Sequence, residues 1–243
     1  MKDSNTYIFI YASAMVIIVA AVLSAVATIL KPYQDLNIEM ARKLDILRSI
    51  EKAEMVAAAE NRVAYIDEEW ERYIVDSYVI NHLGEIQENI DAFEVRVREE
   101  NRKPVEERNL PIFVGRDEEN EYFIIPVYGR GLWGPVFGYV ALENDYNTIF
   151  GVIFDHEGET PGLGAEISMP AFENQFKGKR LFDEDGEFVS IRVVKPGGGV
   201  PLNEHRVDGV SGGTITGNGV DAMLRDTLGA YVEYFRKQKN QES

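Results

Sequence analysis

The chain has 243 residues, of which 45% are hydrophobic, and this is enough to bury a sizeable core in one or two domains. Its formal net charge of −16 predicts no nucleic-acid partner, because binding to a phosphate backbone requires a basic face. The absence of cysteine excludes disulfide bonds, a cysteinyl flavin and thiolate chemistry. The three histidines are well separated and lack the spacing of metal ligands, so no zinc or haem site is expected.

The first predicted element is a membrane span. Residues 7–30 contain no charged residue and exceed the roughly 20 apolar positions that a helix needs to cross a bilayer. They are predicted to form one transmembrane helix in contact with membrane lipid, after a short tail of residues 1–6. A cleaved signal peptide is the alternative, since 25–27 read Ala-Val-Ala, but the run exceeds the roughly 7–15 apolar residues of a signal peptide.

Residues 31–110 are predicted to be a membrane-proximal, mainly helical region. Apolar residues recur every three or four positions from residue 34 to about 61, which indicates an amphipathic helix. Alternation at Phe93, Val95 and Val97 is compatible with a strand. The charged, proline-bearing segment 99–111 is interpreted as a loop or a boundary, after which a domain of residues 111–243 follows.

The second half of the chain is rich in strands and punctuated by glycine. Runs of β-branched and aromatic residues predict strands at 121–127, 136–142, 148–154 and 188–194. Helices are predicted near 170–176 and 219–237. The predicted fold class is therefore α+β, an antiparallel sheet with packed helices preceded by one N-terminal transmembrane helix. A doubly wound nucleotide fold is disfavoured, because no Gly-x-Gly-x-x-Gly turn follows a strand.

A glycine- and hydroxyl-rich stretch precedes the last predicted helix. It reads Asp208-Gly-Val-Ser-Gly-Gly-Thr-Ile-Thr216, and such a stretch presents backbone N–H groups and a positive dipole end that suit a phosphate. Helix capping without cofactor chemistry is the alternative, since several of its side chains are competent caps: Ser211, Thr216 and Asn218.

This stretch resembles the flavinylation motif D-x-x-(S/T)-G-A-T of the FMN-binding domain family. The resemblance implies that Thr214 carries FMN through a phosphoester bond, with Ser211, Gly212, Gly213 and Thr216 around it. It also implies a separate flavin transferase with FAD as donor, because an unactivated hydroxyl does not attack a nucleotide by itself. The chain departs from the motif at Gly213, where alanine is more common.

Two further segments resemble the C subunits of the sodium-translocating NADH:quinone reductases. The run Gly129-Arg-Gly-Leu-Trp133 is similar to their G-x-G-L-W segment, and 158–166 is similar to their G-E-T-P-G-L-G-x-E signature. By resemblance the second loop lines the flavin through four residues: Glu159, Thr160, Leu163 and Gly164. The alternative for that loop is a tight turn between a strand and a helix.

Trp133 and Lys195 are two further candidates for contact with the cofactor. Trp133 would stack near the cofactor or, on residue type alone, fill the core. Lys195 would offer a cation to the reduced flavin or its phosphate, or it would be a solvated lysine at a strand end. The adjacent pair His156 and Glu157 is interpreted as a turn or packing site, because neighbouring residues on a strand point to opposite faces.

The resemblance implies a membrane-anchored electron-carrying subunit of this reductase, in the inner membrane, with the other subunits as partners and no NADH or quinone site of its own. It places the flavin domain outside the cytoplasm. The positive-inside count favours the opposite orientation, since Lys2 precedes the span and more cations follow it: Lys31, Arg42, Lys43 and Arg48. The alternatives are the equivalent G-type member of the Rnf electron-transport complex and, from another class, a single-pass extracytoplasmic binding or scaffold domain without flavin.

Overall fold

The computed structural model describes residues 2–197 and 201–241. The chain divides into two compact units, Met1–Arg42 and Lys43–Ser243. The predicted tail 1–6 and the predicted domain 111–243 each include residues outside the described ones, namely residue 1 and residues 198–200, 242 and 243.

The first unit lies on a single long helix, α1 (Lys2–Ser49). Its stretch Asn5–Ser49 is long and apolar enough to cross a membrane, and the apolar side chains from Tyr7 to Ile38 are exposed rather than packed inside the protein. The amphipathic pattern predicted for 34–61 belongs to this same helix, which ends at Ser49 rather than near residue 61. The chain then makes a short 3-10 turn at Glu54–Ala57.

The second unit is built on a six-stranded antiparallel sheet with the order β2-β1-β3-β4-β5-β6. Its strands are β1 (Ile74–Ile80), β2 (Ile86–Gln87), β3 (Leu110–Arg116), β4 (Glu121–Arg130), β5 (Pro135–Leu142) and β6 (Ile149–His156). In the central pairs, Phe123 lies opposite Leu142 and Gly138 lies opposite Phe154.

Strand β1 lies within the region predicted to be mainly helical, and it pairs directly with β3. The predicted division near residue 110 therefore does not separate two compact units. The sequence does not predict β1, because the middle of this seven-residue strand lacks the apolar alternation of a half-buried strand. Its residues Val75, Asp76 and Ser77 are all exposed. The alternation from Phe93 to Val97 forms turns before a short helix α3 (Val97–Glu100), not a strand.

Helices cover both faces of the sheet, and the alternation of side chains along each strand divides the core in two. One face, with Ile112, Ile125 and Val140, packs in a single cluster with residues of α5 (Thr214–Gly229) and α6 (Val232–Gln241). The other face, with Phe113 and Ile124, packs with Ile46 and Ile50 of the second unit and with Trp70 of helix α2 (Arg62–Tyr73).

A two-stranded parallel sheet flanks helix α5. Its strands are β7 (Arg192–Val194) and β8 (Arg206–Asp208), so the strand predicted at 188–194 is shorter than expected. Buried Asp221 on α5 accepts hydrogen bonds from Nε of Arg192 at 2.9 Å and from the backbone N–H of Val193 at 3.1 Å. These bonds fix β7 against the N-terminal half of the helix.

The predicted fold class is confirmed: an antiparallel sheet carries packed helices, and a long apolar helix precedes it. The helix predicted near 170–176 is a short α4 (Pro170–Glu173) continued by a 3-10 turn at Asn174–Phe176. The helix predicted at 219–237 begins earlier, at Thr214, and is broken into α5 and α6.

Candidate functional site

The predicted attachment residue, Thr214, is the first residue of helix α5 and its side chain is exposed. The helix is preceded by Gly213 at the N-cap position, and the first intrahelical bond runs from the N–H of Gly217 to the carbonyl of Gly213 at 2.8 Å. The N–H groups of Thr214, Ile215 and Thr216 therefore have no acceptor within the helix. They fit a phosphate held at the positive end of the helix.

Hydroxyl capping does not account for this stretch. Among the residues that the structure describes, no side chain caps helix α5, and its N-cap residue is a glycine. The hydroxyl of Thr216, one of the predicted caps, instead donates to Oε2 of Glu159 at 2.6 Å. Ser211 and Asn218 are exposed beside the helix start. The N-terminal N–H groups are thus left for solvent or for a bound anion.

Glu159 joins the three segments that carried the family resemblance. Its side chain is buried, with 5% exposure, in the loop that follows β6. One carboxylate oxygen accepts the hydroxyl of Thr216 on α5, and the other accepts the backbone N–H of Trp133 at 2.8 Å from the β4–β5 loop. Three stretches far apart in sequence therefore meet at one side chain.

The hydrogen bonds to Glu159 keep it ionised. Burial acts to raise the pKa of its carboxyl, but the hydroxyl of Thr216 and the backbone N–H groups of Trp133, Gly134 and Leu132 lower the pKa below its ordinary value. A carboxylate that accepts several N–H and O–H groups is stabilised as an anion even when it is withdrawn from water. Glu159 is thus a permanent acceptor that holds the loops together.

Two glycines make room for this carboxylate. A Cβ at Gly164 would overlap Oε2 of Glu159 and the hydroxyl of Thr216, and a Cβ at Gly131 would lie 2.5 Å from Oε1. Neither overlap is tolerable, so any larger residue would displace the carboxylate. One glycine of each segment, Gly131 of G-x-G-L-W and Gly164 of G-E-T-P-G-L-G, therefore allows close packing around Glu159.

The loop from β6 also contacts the stretch before helix α5. Gly212 has a φ of +77°, which favours glycine, and a Cβ there would lie 2.6 Å from Cδ2 of Leu163. At Gly213, a Cβ would lie 3.1 Å from Cβ of Val210 and 3.3 Å from the carbonyl oxygen of Leu163. Alanine, common at this position in the motif, would fit only after its neighbours moved by a few tenths of an ångström.

Exposed apolar side chains surround the start of helix α5. Trp133 is 71% exposed, so the interpretation that it fills the core is wrong. Leu163 and Ile215 are exposed too, at 42% and 57%. Thr160 is exposed beside them. These side chains could contact an apolar ring near Thr214. Without such a ring they remain exposed to solvent.

Lys195 follows strand β7 and lines a narrow crevice together with Thr214, Gly213 and Asn218. Its side chain is exposed. The crevice therefore combines the hydroxyl of Thr214 with one cation, which is consistent with either predicted role of Lys195.

Sequence reasoning missed two positioning residues. Asp221 was not singled out, although it holds β7 and thereby Lys195 beside the helix start. Gly131 was noticed only as part of a motif. Asp221 lies seven residues after Thr214, on a helix face that is otherwise apolar. Its position could have identified it as a positioning residue, because aspartates are seldom buried without partners.

Comparisons with known proteins agree with this geometry. The sequence profile of the FMN-binding domain matches residues 131–229, which include the loops joined by Glu159 and all of helix α5. The C subunit of the Na(+)-translocating NADH-quinone reductase from Vibrio parahaemolyticus is 40% identical over 146 residues, 59% of this chain and 55% of that protein. The chain thus aligns with about half the length of this relative. The corresponding protein from Haemophilus ducreyi is 28% identical over 256 residues, 97% of this chain and 96% of that protein.

A solved structure extends the agreement to three dimensions. The crystal structure of the Na(+)-translocating NADH-quinone reductase C subunit from Parabacteroides distasonis matches with a TM-score of 0.74 and 40% identity. The match covers 85% of this chain and 96% of that one. At this identity and coverage, the two chains share one fold. The chain belongs to the family formed by the C subunits of the Na(+)-translocating NADH-quinone reductases.

Proposed function

We propose that this chain is the membrane-anchored electron-carrying subunit of a Na⁺-translocating NADH:quinone oxidoreductase, with FMN attached through its phosphate to Oγ1 of Thr214. The observation that carries the proposal is the position of Thr214. Its hydroxyl is exposed at the first residue of a helix whose N-terminal N–H groups lack helical acceptors. When bound, FMN would supply one-electron chemistry that no side chain here provides.

The protein's own residues would hold and orient the group. The N–H groups of the first turn of α5 would bind the phosphate, and Lys195 would add a positive charge in the same crevice. Exposed Leu163 and Trp133 would offer apolar contacts to the ring system. Glu159 would act only by fixing the loops, since both its oxygens accept protein hydrogen bonds.

Attachment would be a phosphoryl-group transfer performed by a separate flavin transferase. Oγ1 of Thr214 would form the new P–O bond to FMN, the anhydride bond to the AMP part of FAD would break, and the hydroxyl proton would be released as AMP leaves. No described side chain hydrogen-bonds to the hydroxyl of Thr214, so the base that takes the proton is assigned to the transferase.

The attachment is tested by co-expressing the full chain with a flavin transferase and viewing a denaturing gel under ultraviolet light. We expect a fluorescent band that disappears in Thr214→Ala and persists in Ser77→Ala, which removes an exposed hydroxyl on β1, outside the motif. A dark band for the wild type, or fluorescence that survives Thr214→Ala, contradicts the proposal. A dark wild-type band is also the result expected of a scaffold domain without flavin.

The place in the reductase is tested with the intact complex. We propose that the apolar helix anchors the chain once in the inner membrane, with the flavin domain on the extracytoplasmic side and the other subunits as partners. A complex that contains this chain should reduce quinone with NADH, and Thr214→Ala should abolish that activity while NADH oxidation by an artificial acceptor continues. Ferredoxin:NAD activity instead would assign the chain to an Rnf-type complex.

A further inference from the structure

A second concavity lies along helix α5 and shares Trp133 with the site described above. It is a cleft of about 670 Å³ that contains residues of α5, the end of β4 and the segment after α3. Its charged lining consists of four arginines and one aspartate: Arg98, Arg102, Arg108, Arg130 and Asp226.

The charge of this cleft opposes that of the chain as a whole. The sequence has 41 acidic and 25 basic residues, yet arginines outnumber acids in the cleft. Guanidinium groups in a concave surface create a local positive potential, which contrasts with the negative net charge of the chain. The cleft is therefore selective for an anionic partner.

Two of the arginines are held by the protein and two are available. Arg108 donates to the backbone carbonyls of Lys103 at 2.9 Å and Asn101 at 3.3 Å, and Arg98 lies 3.8 Å from Glu157. Arg102 and Arg130 are exposed, and neither forms an ion pair within the part of the chain that the structure describes. Their charges are free to meet a carboxylate brought by another molecule.

The cleft adjoins the proposed flavin site. Trp133 lines the cleft, while its backbone N–H is bound to Glu159, the residue that fixes the loops near Thr214. Its indole is 71% exposed, which is unusual for tryptophan in a free surface and common for an anchor at a protein interface. A partner seated in the cleft would thus also cover a side chain beside the proposed cofactor.

The arginines are spread over separate segments rather than focused on one point. They come from α3, the turn after it, the chain before β3 and the end of β4. This distribution suits several carboxylates along a peptide better than a single phosphate. Arginine and tryptophan together are the residue types most enriched at protein interfaces.

We propose that this cleft docks an acidic segment of a partner subunit of the reductase, with Arg102 and Arg130 pairing its carboxylates and Trp133 packing against it. The proposal rests on the proposed function, since it requires a partner that exchanges electrons with this chain. Redox partners use small interfaces, and electrostatic complementarity raises their association rate more than their final affinity.

The test measures association of the full chain, in detergent, with the remaining reductase subunits purified without it. We expect Arg102→Glu/Arg130→Glu to lower the association rate constant at least tenfold at low ionic strength and to flatten its decrease with added salt. The control is Arg62→Glu/Lys237→Glu, an equal charge change at exposed positions on α2 and α6, which should leave both quantities within twofold of wild type.

The same measurement is repeated on the Thr214→Ala background, which separates docking from cofactor attachment. If FMN is not attached to Thr214, the fluorescent gel band is missing but the effect of the arginine substitutions on association remains. If the docking proposal fails, the band is present and the doubly substituted chain associates at the wild-type rate. Association that is lost equally in the control pair also overturns it.

Discussion

Two carboxylates near the end of strand β6 are withdrawn from solvent, yet burial has opposite outcomes for them. Glu159 accepts a hydroxyl and backbone N–H groups, and its pKa is lowered. Among the described residues, Glu173 on α4 accepts one hydrogen bond, from the backbone N–H of Phe154 at 2.7 Å, and it lies near Asp45 and Asp155. Burial and these negative charges raise its pKa to about 6. At Glu159 the hydrogen-bond donors outweigh burial, whereas at Glu173 burial and nearby negative charge outweigh a single donor.

The largest loss of stability is expected from substitution of Glu159, which accepts the hydrogen bonds of several donors. Glu159→Ala should lower the free energy of unfolding by about 2–3 kcal/mol, because the hydroxyl of Thr216 and the N–H of Trp133 lose their acceptor while remaining buried. Denaturation of the full chain in detergent, followed by the fluorescence of Trp70, measures it. Glu157→Ala, at an exposed neighbour, is the control and should change stability by less than about 0.5 kcal/mol. Equal losses of unfolding free energy in both variants would show that Glu159 does not stabilise the loops.

A smaller loss of stability is expected when one hydrogen-bond donor to Glu159 is removed. Thr216→Val removes one donor to Glu159 and preserves the shape of the side chain, so it should cost about 1.5 kcal/mol and raise the pKa of Glu159. Thr148→Val is the matched control, since Thr148 makes the same kind of bond to Asp145, also at 2.6 Å, in an exposed position. Its cost should be below about 0.5 kcal/mol when measured by the same denaturation. A larger loss for Thr148→Val would overturn the role of burial.

The smallest effect depends on pH. Because the folded pKa of Glu173 is raised from 4.5 to about 6, its stabilising contribution is complete below pH 4.5 and is lost as the pH rises through 6. Glu173→Gln keeps the acceptor for Phe154 and removes the titration. Relative to this variant, the wild type should lose about 1 kcal/mol between pH 4.5 and 7, after allowance for solvent screening.

The contrast with Glu159 provides the check on that pH dependence. The lowered pKa of Glu159 stabilises the fold above the ordinary value of 4.5, and this stabilisation is lost as the pH falls below it. Denaturation curves of Glu159→Gln and Glu173→Gln should therefore diverge from wild type at opposite ends of the acid range. Profiles that run parallel to wild type from pH 3 to 7 would contradict both assignments.

The central strands of the sheet were predictable because their residues carry the pattern themselves. Strands β4, β5 and β6 match the predicted runs to within three residues at each end, as each is a β-branched and aromatic stretch between turns. Strand β1 was not predictable, because its exposed Asp76 and Ser77 look like a helix surface or a loop. Only its pairing with β3, a contact distant in sequence, makes it a strand.

The start of helix α5 shows a similar limit. Thr214, Thr216, Gly217 and Gly219 are poor helix formers, so residue types placed the helix start at Gly219. Tertiary packing overrides this preference, because a Cβ at Gly219 would collide with the carbonyl oxygen of Arg130. The glycine is thus needed for the helix to approach β4, although it weakens the helix itself.

The candidate site was predictable in its parts but not in its arrangement. The motifs placed Thr214, Leu163 and Trp133 near one another by resemblance, and the structure brings their loops together through Glu159. The family resemblance predicted Glu159 as one of the residues that line the flavin. Its actual partners, Thr216 and the backbone at Trp133, are set by three-dimensional proximity that no local pattern encodes.

Because helix α5 begins at Thr214 itself, the residue is a fixed pivot rather than the tip of a swinging arm. Asp221 on one side and the hydroxyl of Thr216 on the other tie the first turns of the helix to β7 and to Glu159. A cargo attached to Oγ1 can turn about its own bonds while its point of attachment stays in place. If FMN is attached there as proposed, the reach of its ring from this fixed point is limited by the length of the FMN itself.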